Sequence, residues 1–268
     1  MSIAFLGGGN MATALIGGLL AKGVGELSVV EPLPARREAR VARYGVHASE
    51  APDGATRAAD TLVLAVKPQD LRAALAPLVP LAREQLVISI AAGVRLADIS
   101  RWLGGHRRLV RAMPNMPALI GCGVSGLHAL PEVGTLQRSR AEAVLGAVGA
   151  IVWVEQERLL DPVTALSGSG PAYVFWFIEQ LAASGEAMGL PREIAARLAL
   201  ETVLGAARLA SQSGEAPAAL RARVTSKGGT TEAALRVFDE EQLAERLRRA
   251  LEAASRRGAE LGDQLGRD

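Results

Sequence analysis

A short run, Ser2 to Leu6, breaks into Gly7-Gly8-Gly9-Asn10-Met11-Ala12 and then into Leu15, Ile16, Leu19 and Leu20 at helical spacing. The run has the length and apolar character of a buried strand, and the recurrence after it is that of a helix facing a core. Strand, glycine turn and helix in this order fit G-x-G-x-x-A, the opening of a βαβ unit. Gly7 permits the tight turn, Gly9 lets a pyrophosphate approach the backbone, and Ala12 lets helix and strand pack closely. The helix start offers unpaired N–H groups and a partial positive charge to the phosphates. The motif predicts dinucleotide binding through Leu6, Gly7, Gly8, Gly9, Asn10 and Met11.

The alternation continues. Leu27 to Val30 reads as a second strand, Pro34 to Tyr44 as a polar helix and Thr61 to Val66 as a buried strand. After Lys67-Pro68-Gln69 a further helix runs to about Leu81. Gln85 to Ile90, Arg107 to Arg111, Val124 to Leu127 and Ile151 to Val154 complete the strands, with a helix from Pro131 to Val148. Strands alternating with helices predict a doubly wound parallel sheet of Rossmann type. Beyond residue 158 strand-like runs cease. Pro171 to Met188, Pro191 to Gln212, Ala216 to Arg223, Thr231 to Val237 and Glu240 to Gln264 all read as helices, two of them opening on proline. The expected division is a dinucleotide-binding domain over 1–158 and an all-α domain over 159–268.

Composition excludes several classes. Apolar residues make up 49% of the 268, but aromatics only 3%, so the core is built from Ala, Leu and Val. Net charge is +2 and the arginines are dispersed, without interleaved aromatics to stack bases. That argues against nucleic acid as a partner. The single cysteine, Cys122, allows no intrachain disulfide and no zinc cluster. No basic leader precedes the first apolar run, and no apolar stretch is long enough to span a bilayer, so a soluble cytoplasmic protein is expected.

In an open parallel sheet, ligands lie outside the carboxyl ends of the strands. Ala65-Val66-Lys67-Pro68, Ala91-Ala92-Gly93 and Met113-Pro114-Asn115 each follow a strand and are therefore expected to border the glycine turn's crevice. Small residues at 91–93 leave room for a nicotinamide ring, and Lys67 is placed to meet a phosphate or ribose. Glu31 closes the second strand, where an acid commonly contacts the adenine ribose and favours NAD. Arg36 and Arg37 follow closely and suit a 2′-phosphate. The two readings of the adenosine pocket stay open.

A second glycine turn stands out in the helical half, Val224-Thr225-Ser226-Lys227-Gly228-Gly229-Thr230-Thr231-Glu232-Ala233-Ala234. It gathers four hydroxyls and two glycines directly before a helix expected to start near Thr231. Its backbone N–H groups suit a small carboxylate; a plain Gly-Gly turn with a threonine cap is the structural alternative.

Taken in order, the glycine loop, Ala65-Val66-Lys67-Pro68, Ser89-Ile90-Ala91-Ala92-Gly93, Arg111-Ala112-Met113-Pro114-Asn115, Ser167-Gly168-Ser169-Gly170-Pro171-Ala172-Tyr173 and the Gly-Gly-Thr-Thr turn resemble the pyrroline-5-carboxylate reductases. The resemblance runs from about residue 2 to residue 262. It implies hydride transfer from NADPH, or alternatively NADH, to the imine carbon of 1-pyrroline-5-carboxylate, giving L-proline. It implies a substrate carboxylate held by Gly228, Gly229 and Thr230. Thr231 stands near the ring nitrogen as the catalytic hydroxyl, and Glu215 favours the protonated imine. Three positions depart from the family pattern: Lys227 replaces a proline, Met116 a threonine, and Pro52 an asparagine that often assists cofactor binding.

The span from Pro171 to Met188 is apolar nearly all round, with Val174, Phe175, Phe177, Ile178 and Leu181 opposed by Trp176. Such a helix is expected to be covered on more than one side, which predicts an obligate homodimer through the helical half; by resemblance such dimers assemble further. The same span contains no lysine, which counts against a β-hydroxyacid dehydrogenase, a class that carries its acid/base there. A reductase of a related cyclic imine and a cofactor-binding sensor are the other readings.

Overall fold

The computed structural model describes residues 1–79 and 84–267. Internal contacts divide the chain into two compact units, Met1–Ser169 together with Glu252–Asp268, and Gly170–Leu251.

The first unit is built on one eight-stranded sheet: β1 (Ile3–Leu6), β2 (Leu27–Val30), β3 (His47–Ser49), β4 (Thr61–Leu64), β5 (Leu86–Ser89), β6 (Leu109–Met113), β7 (Gly123–Ala129) and β8 (Gly149–Trp153), in spatial order β3-β2-β1-β4-β5-β6-β7-β8. Its helices are α1 (Asn10–Ala21), α2 (Pro34–Tyr44), α3 (Gly54–Ala58), α4 (Leu71–Leu75), α5 (Leu96–Trp102), α6 (Thr135–Leu145) and α7 (Leu160–Val163). The first six strands are parallel. Every residue of β1, β2, β4 and β5 is buried, as expected of strands covered on both faces. On one face Leu15, Ile16 and Leu19 of α1 are fully enclosed against Phe5, Val29 and Ile88; each such side chain contributes roughly 1.5–3 kcal/mol. On the other, Leu71, Leu75, Leu96 and Ile99 close over Leu62, Leu64 and Val87.

The sheet departs from the all-parallel expectation at one place, because β7 runs antiparallel to β6. Only residues 114–122 join the two strands, with a 3-10 segment at Met116–Ile120, and a parallel return needs a crossover of a dozen residues or more. The helix expected after Pro68 is three short pieces, a 3-10 turn at Pro68–Asp70, α4, and a second 3-10 turn at Ala76–Leu78. Its expected end at Leu81 lies outside the described residues.

The change to helix near residue 158 comes before the limit of the first compact unit. The reason is that α7 remains under the sheet: Leu160 is fully buried, and Glu157 and Asp161 flank buried Arg111 of β6. A π-helical turn follows at Thr164–Gly168.

The second unit comprises α8 (Gly170–Ala187), α9 (Arg192–Ser213), α10 (Pro217–Arg223), α11 (Thr230–Glu240) and the first turns of α12 (Leu243–Leu265). Helices α8 and α9 form its centre, with Gly185 facing Ala195. Gln242, at φ 54°, separates α11 from α12, so the last helix starts at Leu243. Among the described residues of this unit only Gly185, Ala195 and Ala199 are buried. Phe175 is 53% exposed and Trp176 59%. An apolar helix pair left so open has no core of its own within one chain. No helix is long and apolar enough to cross a membrane among the described residues.

Candidate functional site

The glycine turn sits where the winding of the sheet reverses, between β1 with its neighbour β2 and β4 on the other side, the place where open α/β sheets bind ligands. Gly7 is at φ 99°, and a Cβ there would stand 2.8 Å from the Ala65 carbonyl oxygen; only glycine tolerates both constraints. No side chain caps α1, and its first intrahelical bond runs from the Thr13 N–H to the Gly9 carbonyl. The N–H groups of Asn10, Met11 and Ala12 therefore remain open for an anion.

A cleft of about 840 Å³ lies over this turn. Ten of the predicted cofactor residues line it: Leu6, Gly7, Gly8, Gly9, Asn10, Glu31, Arg36, Ala65, Val66 and Lys67. Pro52, the departure from the family asparagine, is also on its wall. The size, the open helix start and the clearance above Gly9, where a Cβ would meet only the Ala65 oxygen at 4.0 Å, fit the pyrophosphate and adenosine of a dinucleotide.

Besides its place on the cleft wall, Glu31 has a task within the protein itself. The residue is 4% exposed. Its Oε2 accepts the Gly8 N–H at 3.0 Å and its Oε1 accepts the Leu33 N–H at 3.1 Å. The carboxylate thus holds the glycine turn and the loop after β2. Arg37 is likewise committed, donating to the carbonyls of Glu31 at 2.8 Å and Pro32 at 3.2 Å. Arg36 is exposed on the cleft wall, and its guanidinium makes no ion pair or hydrogen bond to the described residues. Arg40 also lines the cleft, its guanidinium donating twice to the Gly8 carbonyl at 2.6 and 3.2 Å. Sequence reasoning missed Arg40. The available signal was its position one helical turn after Arg36.

The remaining predicted cofactor residues are not among those lining this cleft. Met11 packs against the core. Ala91 is buried. Pro68, Ala92 and Gly93 line a separate cavity of about 280 Å³. Asn115 is 8% exposed and its amide is used at both ends, Nδ2 donating to the Ser167 carbonyl at 3.1 Å and Oδ1 accepting the Val124 N–H at 2.9 Å. It ties the β6–β7 connection to the π-helical turn.

In the helical unit, Gly228 is at φ 72° and the turn delivers the chain into α11 at Thr230. Two N–H groups expected to take a carboxylate are already engaged. Gly228 donates to Glu232 Oε2 at 2.6 Å and Gly229 to the Ser226 carbonyl at 3.0 Å. The groups left open are those of Thr230, Thr231 and Glu232, since the first intrahelical bond comes from Ala233. Of the expected Gly228, Gly229 and Thr230, Thr230 keeps its N–H open. Thr231 is half-buried and Lys227 points to solvent. Glu215 lies at the opposite end of α10, whose seven residues span about 10 Å, and its carboxylate is paired with Arg223 at 2.5 Å. Neither Glu232 nor Arg223 stood out in the sequence, because both read as ordinary charges on helix surfaces.

Comparison with known proteins agrees with this layout. Residues 157–261 match the family described as pyrroline-5-carboxylate reductase dimerisation, and residues 2–93 match NADP oxidoreductase, coenzyme F420-dependent. The chain is 46% identical to a pyrroline-5-carboxylate reductase of Pseudomonas aeruginosa over 98% of both chains. It is 43% identical to that of Synechocystis, again over 98% of both. Among solved structures, a pyrroline-5-carboxylate reductase of Coxiella burnetii superposes with a TM-score of 0.93 at 40% identity, covering 97% of this chain and 98% of that one. A pyrroline carboxylate reductase of Plasmodium falciparum, solved with NADP bound, gives 0.85 at 27% identity over 98% of both.

Proposed function

The chain belongs to the pyrroline-5-carboxylate reductase family, and on that premise we propose that it reduces the imine bond of 1-pyrroline-5-carboxylate to give L-proline, with NADPH as reductant. The observation that carries this reading is a pair of glycine turns in one chain. Each delivers the backbone into a helix with open first-turn N–H groups, at Asn10–Ala12 and at Thr230–Thr231. The first suits a pyrophosphate and the second a small carboxylate. When bound, the reduced nicotinamide supplies the hydride.

The chain's own residues bind, orient and tune. The N–H groups of Asn10 to Ala12 hold the pyrophosphate, and Glu31 and Arg40 fix the glycine turn beneath it from its N–H and carbonyl sides. Arg36 and Lys67 supply positive charge on the cleft wall. Because the Glu31 carboxylate is spent on backbone N–H groups while Arg36 is open, the adenosine pocket favours a 2′-phosphate over bare ribose hydroxyls. Thr230 and Thr231 hold the substrate carboxylate on their N–H groups, and the Thr231 hydroxyl donates to or relays a proton toward the ring nitrogen. A protonated imine has the more electrophilic carbon. Glu215, paired with Arg223, acts on that protonation only at a distance.

The exposed apolar faces of α8 and α9 support a homodimer through the helical unit, since patches of this extent are normally covered. The absence of a membrane-crossing helix among the described residues suits a cytoplasmic biosynthetic enzyme. The test is NADPH oxidation followed by absorbance with 1-pyrroline-5-carboxylate, run beside NADH. Turnover with NADPH preferred supports the reading; binding of NADPH without turnover refutes the substrate. Light scattering over a dilution series checks the dimer, and a folded, active monomer would overturn it.

A further inference from the structure

The end of α12, from Glu252 onward, is part of the sheet unit, where it lies on the turn that follows β5. An ideal Cβ on Gly262 would stand 2.9 Å from the Gly93 carbonyl oxygen and 3.3 Å from Arg95 Nε. Gly93 itself is at φ 83°, with the Gly262 nitrogen 3.6 Å from where its own Cβ would be. Beside this contact Asp263 pairs with Arg95 at 2.6 Å, and Arg101 donates to the Gly266 carbonyl at 2.8 Å.

The chain just after the turn is also held. The Leu96 N–H donates to Glu157 Oε1 at 2.7 Å. That oxygen also faces Arg111 Nη1 at 3.2 Å, while Arg111 Nη2 faces Asp161 at 3.5 Å. Arg111 is 4% exposed, so this ion cluster is a fixed anchor rather than a surface pair. Ala91-Ala92-Gly93 has almost no side chain with which to hold itself in place. Its position is set by what grips it, the last turns of α12 at Gly93 and the Glu157 anchor at Leu96 just beyond.

We propose that the end of α12, through Gly262 and Asp263, positions the Ala91–Gly93 turn against the nicotinamide half of the cofactor. Gly262 and Asp263 are positioning residues: Gly262 meets the turn at Gly93 and Asp263 holds Arg95 just after it, and neither touches the reacting atoms. The inference rests on the reading that this turn borders the nicotinamide. Hydride transfer is steep in geometry, and a misplacement of about 1 Å can cost on the order of a hundredfold in rate. A brace that excludes even one methyl group therefore has catalytic weight.

The test compares Gly262→Ala and Asp263→Asn with the unaltered protein, using two probes. Adenosine 2′,5′-bisphosphate reports the adenosine cleft, and NADPH reports both halves. The added Cβ must displace the turn by several tenths of an ångström. Gly262→Ala is then expected to weaken NADPH about fivefold and lower kcat about tenfold, with the bisphosphate Kd unchanged within about twofold. Asp263→Asn should do the same to a smaller degree, and it keeps the test open should Gly262→Ala fail to fold. Unchanged NADPH affinity in both variants would overturn the proposal, as would parallel weakening of both probes, which marks general loosening. The affinity ratio needs no imine substrate. A wrong substrate assignment would instead show as an unaltered protein that binds NADPH without turning over.

Discussion

Replacing Arg36 by alanine separates the two readings of the adenosine pocket. Arg36 is exposed on the cleft wall and makes no bond that its removal would break, whereas Arg40 holds the Gly8 carbonyl at 2.6 Å. Removing Arg36 should therefore touch only a cofactor that carries a charge there. A guanidinium about 4 Å from a phosphate charge is worth about 1–4 kcal/mol at effective dielectric constants of roughly 80 to 20. Exposure puts Arg36 at the lower end, about 1–1.5 kcal/mol, or roughly tenfold in affinity. The assay is initial-rate kinetics with NADPH and NADH at fixed imine concentration. Arg36→Ala should lower kcat/KM for NADPH about tenfold and leave NADH unchanged. Raising the salt concentration should shrink the difference, because the charges face solvent. Arg40→Ala should instead lower both, since the glycine turn loses its clamp. Equal effects of Arg36→Ala on the two cofactors, or a selectivity ratio that stays within about twofold, would refute the assignment of the 2′-phosphate to this side of the cleft.

Three further outcomes are expected. Glu31→Gln keeps the shape but sets an amide NH₂ against one of the two backbone N–H groups now accepted, which should cost about 1–3 kcal/mol; calorimetry should show a lower Tm, and a Tm as high as the parent's would mean the carboxylate does not hold the turn. Thr231→Val removes the hydroxyl at nearly constant volume and should lower kcat by at least about tenfold, with NADPH Kd unchanged by titration; a normal kcat removes Thr231 from the chemistry. Asp60 accepts the Ser2 N–H at 2.9 Å and faces Arg140 at 3.4 Å, and these hold its carboxyl below the ordinary value of 3.8. A depressed folded value stabilises above the ordinary one, and that stability is lost as pH falls through the folded value. Asp60→Asn should therefore lower Tm at neutral pH by at most a few degrees, the group being part-exposed, and the gap to the parent should close in acid; a gap that persists at low pH contradicts the sign.

Much of the fold was legible because its causes are local. Gly7 and Ala12 are demanded by the turn they form and the helix they open, and α2 runs from Pro34 to Tyr44 as its first-turn proline and polar pattern predict. The elements missed were short. Three-residue β3 and five-residue α3 carry too few side chains for a period to show. The reversed β7 was hidden for a different reason: strand direction depends on how much chain is available to cross the sheet, not on the strand's own residues.

The functional residues divide in the same way. The sequence by itself determined where anions could be held, because an open helix start behind glycine is a property of a dozen consecutive residues. It also determined that the second half is helical. Only the tertiary structure decided which charges are free. Glu31 looked wholly available and in fact accepts the Gly8 N–H, 23 residues away in the chain. Arg37 is spent on carbonyls, and Arg40 was invisible until α2 brought it to the Gly8 carbonyl, 32 residues distant. The grip of α12 on the Gly93 turn lies further still from any local signal, with Arg101 reaching Gly266 across 165 residues. A side chain's chemistry is written in its type, but whether that chemistry is available depends on its partners, and partners distant in sequence are chosen by packing.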